Sequence, residues 1–338
     1  MKKLAVAALL CAAALPLAAQ TKGLVVKSRV ATNLPGGGPM ELPNFCDDQG
    51  RLYVKLVKPG TAMEGPLLRL SAKGVLEVEF DTAGAITNVF AVRPNGGVAM
   101  VRSDGSVKVV ENFGPDGKRE SSVRLEKPPK PFFPRQIAVF RSGEMLVAGV
   151  QYHPGFKAST AIYDATGHLV KQFELDGDAE IERAIEVGDA RYTRSPGLGN
   201  RPAERSVAIT GDDGFVYLMR ATSPTIVYVI SAAGEVVRKI AASASADDGL
   251  PDMALRVAKN RLTVELSRGC DDPLYPRSCQ SKVYTVLDAT TGKRLADYQT
   301  DKETDGTMAC YAPDPDRFFT FGLAPDQEHL AIVEAAAK

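Results

Sequence analysis

A turn signature that returns about every 46 residues constrains this chain more than any other feature. Asp47-Asp48-Gln49-Gly50 precedes Arg51-Leu52-Tyr53-Val54, Arg93-Pro94-Asn95-Gly96 precedes Gly97-Val98-Ala99-Met100, and Arg141-Ser142-Gly143-Glu144 precedes Met145-Leu146-Val147. Gly211-Asp212-Asp213-Gly214 precedes Phe215-Val216-Tyr217-Leu218, and related turns stand at Lys259-Asn260 and at residues 313–316. Gly, Asn and Asp between β-prone runs are hairpin chemistry. The turn glycines at 50, 96, 143 and 214 are spaced by 46, 47 and 71 residues, and the longest gap holds an insertion. A second turn follows each of the first five, at Ser71–Gly74, Gly114–Gly117, Asp164–Gly167, Ser231–Gly234 and Asp288–Gly292. Each unit therefore reads as four strands. Repeated four-stranded units of this length predict an all-β chain folded as a six-bladed β-propeller. A pair of β-sandwich domains is the competing architecture, and it leaves the spacing unexplained. The sixth unit stops after Arg317–Leu323 and His329–Glu334. Its missing strand is expected from Gly23–Val30, whose insertion would cover an open edge.

The first residues read as an address. Met1-Lys2-Lys3 is basic, and Leu4 to Ala19 carry no charge. A basic start, an apolar run and a small-residue end predict a signal peptide over residues 1–19 and an exported, periplasmic or extracellular protein over 20–338. No other stretch is apolar for long enough to span a bilayer. Lys+Arg and Asp+Glu are both 41, so there is no cationic excess for binding nucleic acid through phosphates. After the leader, Cys46, Cys270, Cys279 and Cys310 remain, and four cysteines allow three pairings. Cys46 and Cys310 occupy matching places on the first strands of units that become neighbours when the ring closes. That predicts a Cys46–Cys310 staple, with Cys270–Cys279 closing a loop in the fifth unit. Four free buried thiols are the alternative.

In such a ring, the connections between units and those between second and third strands share one face. The tight turns share the other. The extra residues fall on the first face, at 58–66, 127–135, 151–158, 176–205 and 267–281. Long connections on a rigid scaffold are where function concentrates. The 176–205 insertion is expected to start with a short helix capped at Asp178 and ended by Gly188, followed by a basic, glycine-containing loop. Arg135, His153, Arg191, Tyr192, Arg194, Tyr275 and Arg277 are the candidate ligand-binding residues, because arginine and tyrosine together suit anionic or polar organic ligands. Asp271 and Asp272 are the candidate metal ligands, with calcium the metal that suits them. The pairs Asp47-Asp48 and Asp212-Asp213 sit in tight turns, where aspartate bonds backbone amides. No catalytic residues and no other cofactor are expected. The chain lacks a G-x-S-x-G elbow, an H-E-x-x-H pair and a P-loop.

Asp47-Asp48-Gln49-Gly50-Arg51-Leu52-Tyr53-Val54 resembles the D-x-x-G-x-x-Y-V opening of NHL-type propeller repeats, with Gly214–Leu218 a partial second match. Leu287–Leu295 resembles the repeat of quinoprotein-like propellers, which has tryptophan where Leu295 stands. This chain has no tryptophan, so that docking motif is missing. Both resemblances imply architecture and transfer no catalytic residue. The reading is a binding or interaction module, not an enzyme, that engages a protein or a small anionic ligand through its loop-rich face. A hydrolase, lactonase or lyase with a metal at the channel mouth is the alternative.

Overall fold

Glycines of both turn series sit where left-handed backbone is required, as at Gly50 (φ 72°) and Gly96 (φ 79°). Where the fifth unit lacks such a glycine, Lys259 (φ 46°) and Asn260 (φ 59°) both take positive φ and make a two-residue turn, the arrangement that matches strand twist in a hairpin. A computed structural model describes residues 21–35, 40–57, 65–82, 89–104, 106–151, 157–176, 178, 206–220, 222, 224–243, 250–270, 279–304 and 306–338.

The chain begins with β1 (Thr21–Pro35). The first sheet is β2 (Met40–Cys46), β3 (Leu52–Leu56), β4 (Leu67–Leu70) and β5 (Leu76–Phe80). The second is β6 (Phe90–Val92), β7 (Val98–Asp104), β8 (Val107–Phe113) and β9 (Arg119–Arg124). The third is β10 (Phe133–Val139), β11 (Met145–Gln151), β12 (Lys157–Tyr163) and β13 (Leu169–Phe173). The fourth is β14 (Val207–Thr210), β15 (Val216–Arg220), β16 (Ile226–Ile230) and β17 (Val236–Ala241). Then come β18 (Leu250–Ala258), β19 (Arg261–Cys270), β20 (Cys279–Asp288) and β21 (Arg294–Gln299), followed by β22 (Met308–Ala312), β23 (Arg317–Leu323) and β24 (His329–Ala337). Within each sheet, strands consecutive in sequence pair antiparallel in order, the propeller arrangement. The first strands touch one another in the cycle β2, β6, β10, β14, β18, β22 and back to β2.

One difference from the sequence expectation concerns the sheets. Four are separate and four-stranded, whereas the last seven strands and β1 form one eight-stranded sheet, β18-β19-β20-β21-β1-β24-β23-β22. β1 pairs antiparallel with β24, with Val30 opposite Ile332, as the missing strand was expected to. It begins before Gly23, however, and Thr21–Gly23 run on to pair in parallel with Asp297–Gln299 at the outer edge of β21. That edge has unpaired backbone groups, and three further residues of β1 suffice to meet them.

Packing follows position in the sheet. β3, β11 and β15 are buried along their whole length. β9, at the rim, is almost wholly exposed. The core lies in the seams between neighbouring sheets. Leu146, Ala148 and Ile162 of the third sheet meet Val216, Leu218 and Tyr228 of the fourth. Leu52, Val54 and Leu68 meet Phe321, Leu330 and Ile332 across the closure. Among the described residues, no helix is long and apolar enough to cross a membrane.

Cys46 and Cys310 form the expected disulfide, joining β2 to β22 with Cα atoms 5.4 Å apart. The ladder pairs Cys270 with Cys279, but their side chains lie outside the described residues. Residues 1–19, read as a leader, also lie outside them. A cross-link between residues 264 apart is worth about 5–6 kcal/mol in the chain-entropy model, and usually less in practice. Cys310→Ser is therefore expected to lower the melting temperature by roughly 5 °C, as calorimetry would read it. An unchanged melting temperature would show that the staple adds nothing to closure.

Candidate functional site

Of the residues singled out in the sequence, Arg135 is described and lies half-buried on β10. His153, Arg191, Tyr192, Arg194, Asp271, Asp272, Tyr275 and Arg277 lie outside the described residues. The helix expected from Asp178 to Gly188 is outside them too, except at its start. There the capping differs from expectation. Asp178 does not cap with its own position; its carboxylate reaches back and accepts from the Leu175 N–H at 2.9 Å. The Asp178 N–H donates to the Leu175 carbonyl, also at 2.9 Å. Asp178 thus sits three residues into the first turn, the acidic half of a capping box.

The sequence reading missed a layer of buried charge beneath the loop-rich face. Lys55, Arg220 and Glu265 are fully buried in second strands of three different sheets. Each charge is met by the start or end of a connection on that face, or by a residue beside one. The Lys55 ammonium donates to the Gly65 carbonyl at 2.6 Å, at the end of the connection from β3 to β4. Arg220 forms an ion pair with Asp178 at 3.1 Å, at the start of the long insertion, and donates to Thr160 Oγ1 at 3.0 Å. Lys282 lies 3.0 Å from Glu265 and 3.7 Å from Asp252. The second Glu265 oxygen accepts from the Met308 N–H at 2.7 Å. A signal for these residues does exist, as a single charge inside an apolar run: Leu52-Tyr53-Val54-Lys55-Leu56 and Leu262-Thr263-Val264-Glu265-Leu266.

At the centre of the ring, Arg256 ties three first strands together. Its guanidinium donates to the Ala309 carbonyl at 2.9 and 2.6 Å, to Leu255 at 2.5 Å, and to the carbonyl of Asn44. It also stands over the Phe45 ring at 5.7 Å. Burial pushes this guanidinium below its ordinary value, and Glu265 opposes the shift. Burial pushes the Glu265 carboxyl up to about 7, with Lys282 opposing and Asp252 reinforcing.

The opposite face is built differently. Asp47 Oδ1 accepts from the N–H groups of Gln49 and Arg51, and its Oδ2 takes Arg51 Nε at 2.6 Å. The Tyr53 hydroxyl lies 3.0 Å from that carboxylate and 2.9 Å from the Gly96 carbonyl of the next sheet. The same trio recurs as Asp213, Tyr217 and Arg238, with the Tyr217 hydroxyl 2.7 Å from Asp213. It recurs again where Asp316 meets Tyr311, Tyr298 and Arg261. Burial and the adjacent carboxylate raise all four tyrosine hydroxyls well above their ordinary value. Asp47 and Asp213 therefore serve their turns, as the sequence suggested. Among the described residues, no three His, Cys, Asp or Glu side chains gather as metal ligands.

No family model matches this chain, and no curated protein matches it. Solved structures do. A protein of unknown function from Dyadobacter fermentans is similar over 94% of this chain and 100% of its own, at TM-score 0.52 and 11% identity. One from Bacteroides caccae, also of unknown function, is similar over 86% of this chain and 97% of its own, at TM-score 0.50 and 13% identity. At such identities the likeness concerns the fold alone.

Two outcomes follow from the buried charges. Arg220→Ala strands Asp178 without its partner and should cost about 3–5 kcal/mol in denaturant unfolding, while Arg220→Met with Asp178→Leu should recover most of it. The Glu265 carboxyl has a folded pKa above its unfolded one, so its protonated form is favoured by folding. That contribution is complete below about pH 4.5 and is lost as pH rises through about 7. The melting temperature of the native protein minus that of Glu265→Gln should fall between pH 5 and pH 8. A constant difference would contradict the assignment.

Proposed function

We propose that this chain is an exported six-bladed β-propeller with NHL-like repeats that binds a small anionic or polar ligand, or a protein partner, through its loop-rich face. The observation that carries the reading is the asymmetry between the faces. One face closes on short hydrogen-bonded turns held by Asp–Tyr–Arg trios. Beneath the other, buried charges grip the ends of the long connections at Gly65 and Asp178. A fold has no need to bury charge for stability alone, since an apolar replacement is often as good. Charge that fixes loop bases serves to hold loops in position, and a held loop binds with less ordering cost.

The cycle of six contacting first strands supports the six-blade count, with the eight-stranded sheet counted as two blades joined by β1. The disulfide and the leader-like residues 1–19 support export. The direct opposition of residues 270 and 279 supports the second disulfide, Cys270–Cys279. On this reading Arg135, His153, Arg191, Tyr192, Arg194, Tyr275 and Arg277 supply the ligand contacts. A metal-dependent hydrolase, lactonase or lyase, with calcium at Asp271 and Asp272, is the second reading. What favours it is the buried pair Asp252 and Glu265, whose perturbed carboxyl is of the sort that gathers at active sites.

Replacing Arg191, Arg194 and Arg277 together by alanine should leave the melting temperature within about 2 °C, as expected of residues that hold a ligand and not the fold. A panel of phosphate, sulfate, citrate and sugar phosphates, read by thermal shift, should stabilise the native chain and not the triple variant. Equal shifts in both would remove the basic-loop reading. A chelator-induced fall in melting temperature, reversed by calcium, would move the account to the metal-dependent enzyme.

A further inference from the structure

A half-open cavity of about 420 Å³ lies in the seam between the second and third sheets, at the rim and apart from the central channel. Its size is within the range of small-molecule sites. Leu125, Phe132, Val147 and Tyr163 give it an apolar floor, and Pro128, Pro131 and Pro134 stiffen one wall. The wall is fixed to the third sheet, because the Glu126 N–H donates to the Gly167 carbonyl at 2.8 Å. It follows that the cavity belongs to the resting fold and needs no rearrangement to open.

Tyr163 is the unexplained residue here. It is 2% exposed, lines the cavity, and makes no hydrogen bond through its hydroxyl among the described residues. The other described tyrosines do better. Tyr53, Tyr217, Tyr298 and Tyr311 each meet an aspartate, Tyr228 meets Asp176, and Tyr284 meets the Gly306 carbonyl at 3.0 Å. A buried tyrosine hydroxyl ordinarily finds a partner. Burial, reinforced by the charge of nearby Glu126, raises the Tyr163 hydroxyl to about 12, so it stays protonated and can donate to an acceptor in the cavity.

The rim supplies the charge. Arg124 and Lys127 are exposed and have no ion pair among the described residues. Lys108 donates to Ser103 Oγ at 2.7 Å and stands 5.1 Å over the half-exposed Phe133 ring. Glu126 is the one acid of the lining, and its carboxylate already accepts from the Leu169 N–H at 2.9 Å. His168 is paired with Asp164 at 3.4 Å and adds little. The balance at the mouth is therefore cationic, above an apolar floor and beside a lone donor.

We propose that this seam cavity binds a small aromatic carboxylate, its ring on the floor formed by Leu125 and Phe132 and its carboxylate accepting from the Tyr163 hydroxyl beside Arg124 and Lys127. Its Lys127–Pro134 wall belongs to the 127–135 connection of the loop-rich face, but the proposed contacts share no residue with the Arg191, Arg194 and Arg277 loops, so either assignment can fail alone.

The probe is 2-naphthoate, with uncharged 2-naphthylmethanol as its control, measured by titration calorimetry. The native chain should bind 2-naphthoate saturably below millimolar concentration and bind the alcohol more weakly. Tyr163→Phe keeps the packing and removes only the hydroxyl. It should weaken 2-naphthoate about five- to tenfold, as loss of one hydrogen bond does. Without ligand it should melt no lower than the native chain, because no internal bond is lost. Arg124→Ala with Lys127→Ala should weaken the carboxylate, abolish its salt dependence and leave the alcohol unaffected. The Arg191, Arg194 and Arg277 triple variant should bind 2-naphthoate normally. The proposal is overturned by absence of saturable binding, by equal affinity for probe and control, or by a Tyr163→Phe variant that binds as the native chain does. A clear fall in the melting temperature of unliganded Tyr163→Phe would also overturn it, since it would reveal a fixed internal partner.

Discussion

The strands β22, β23 and β24 alone would leave a row of backbone N–H and C=O groups unpaired along the outer edge of β24, and β1 covers that edge. Leu24 to Val30 run antiparallel to Ile332 to Ala337, so the two ends of the chain meet in one ladder. An uncovered edge there would be a template for joining another molecule. Closure by strands from opposite ends also makes the ring cooperative, because the closing seam cannot be completed until both ends are in place. The Cys46–Cys310 bridge locks the same junction on the inner side, between β2 and β22. Arg256 then holds β18, β2 and β22 together at the centre through their carbonyls. Three unlike interactions thus converge on the one place where the ring could open.

With the ring closed, the two faces diverge in chemistry. The tight-turn face spends its polar groups on itself. Asp47, Asp213 and Asp316 each satisfy turn backbone or an arginine and also take a tyrosine hydroxyl. On the other face the connections lengthen, and their ends are gripped from below by Lys55 and Arg220. A buried charge left unpaired is costly, so each grip is strong only while its loop end stays in place. That gives the loop-rich face fixed loop bases, whatever the loops then hold.

Much of this was legible in the sequence because turns and apolar periodicity are local. The glycine and asparagine turns marked the four-strand units, and the β-prone run at Gly23–Val30 was recognisable as the missing member. Cys46 and Cys310 could be paired because the repeat placed them in equivalent, neighbouring positions. The parallel pairing of β1 with β21 was not legible, because it rests on three residues whose partners are 276 positions away. Lys55, Arg220 and Glu265 were not read as buried, because a charge in a strand ordinarily marks the solvent side. What makes burial tolerable is a partner that only the folded connection supplies. Tyr163 escaped notice for a related reason. In sequence it is one more aromatic in a strand, and only the fold shows that its hydroxyl lacks the partner that Tyr53 and Tyr217 have.

Native-state hydrogen exchange on the intact, oxidised protein tests the central claim most directly. If β1 closes the ring, its amides between Leu24 and Val30 are released only by global unfolding. Their protection should then equal that of β23 and β24 and rise with denaturant stability in the same way. Amides of β1 that exchange orders of magnitude faster than those of β24 would mean that the strand frays independently. The ring would then hold without it, contradicting the account.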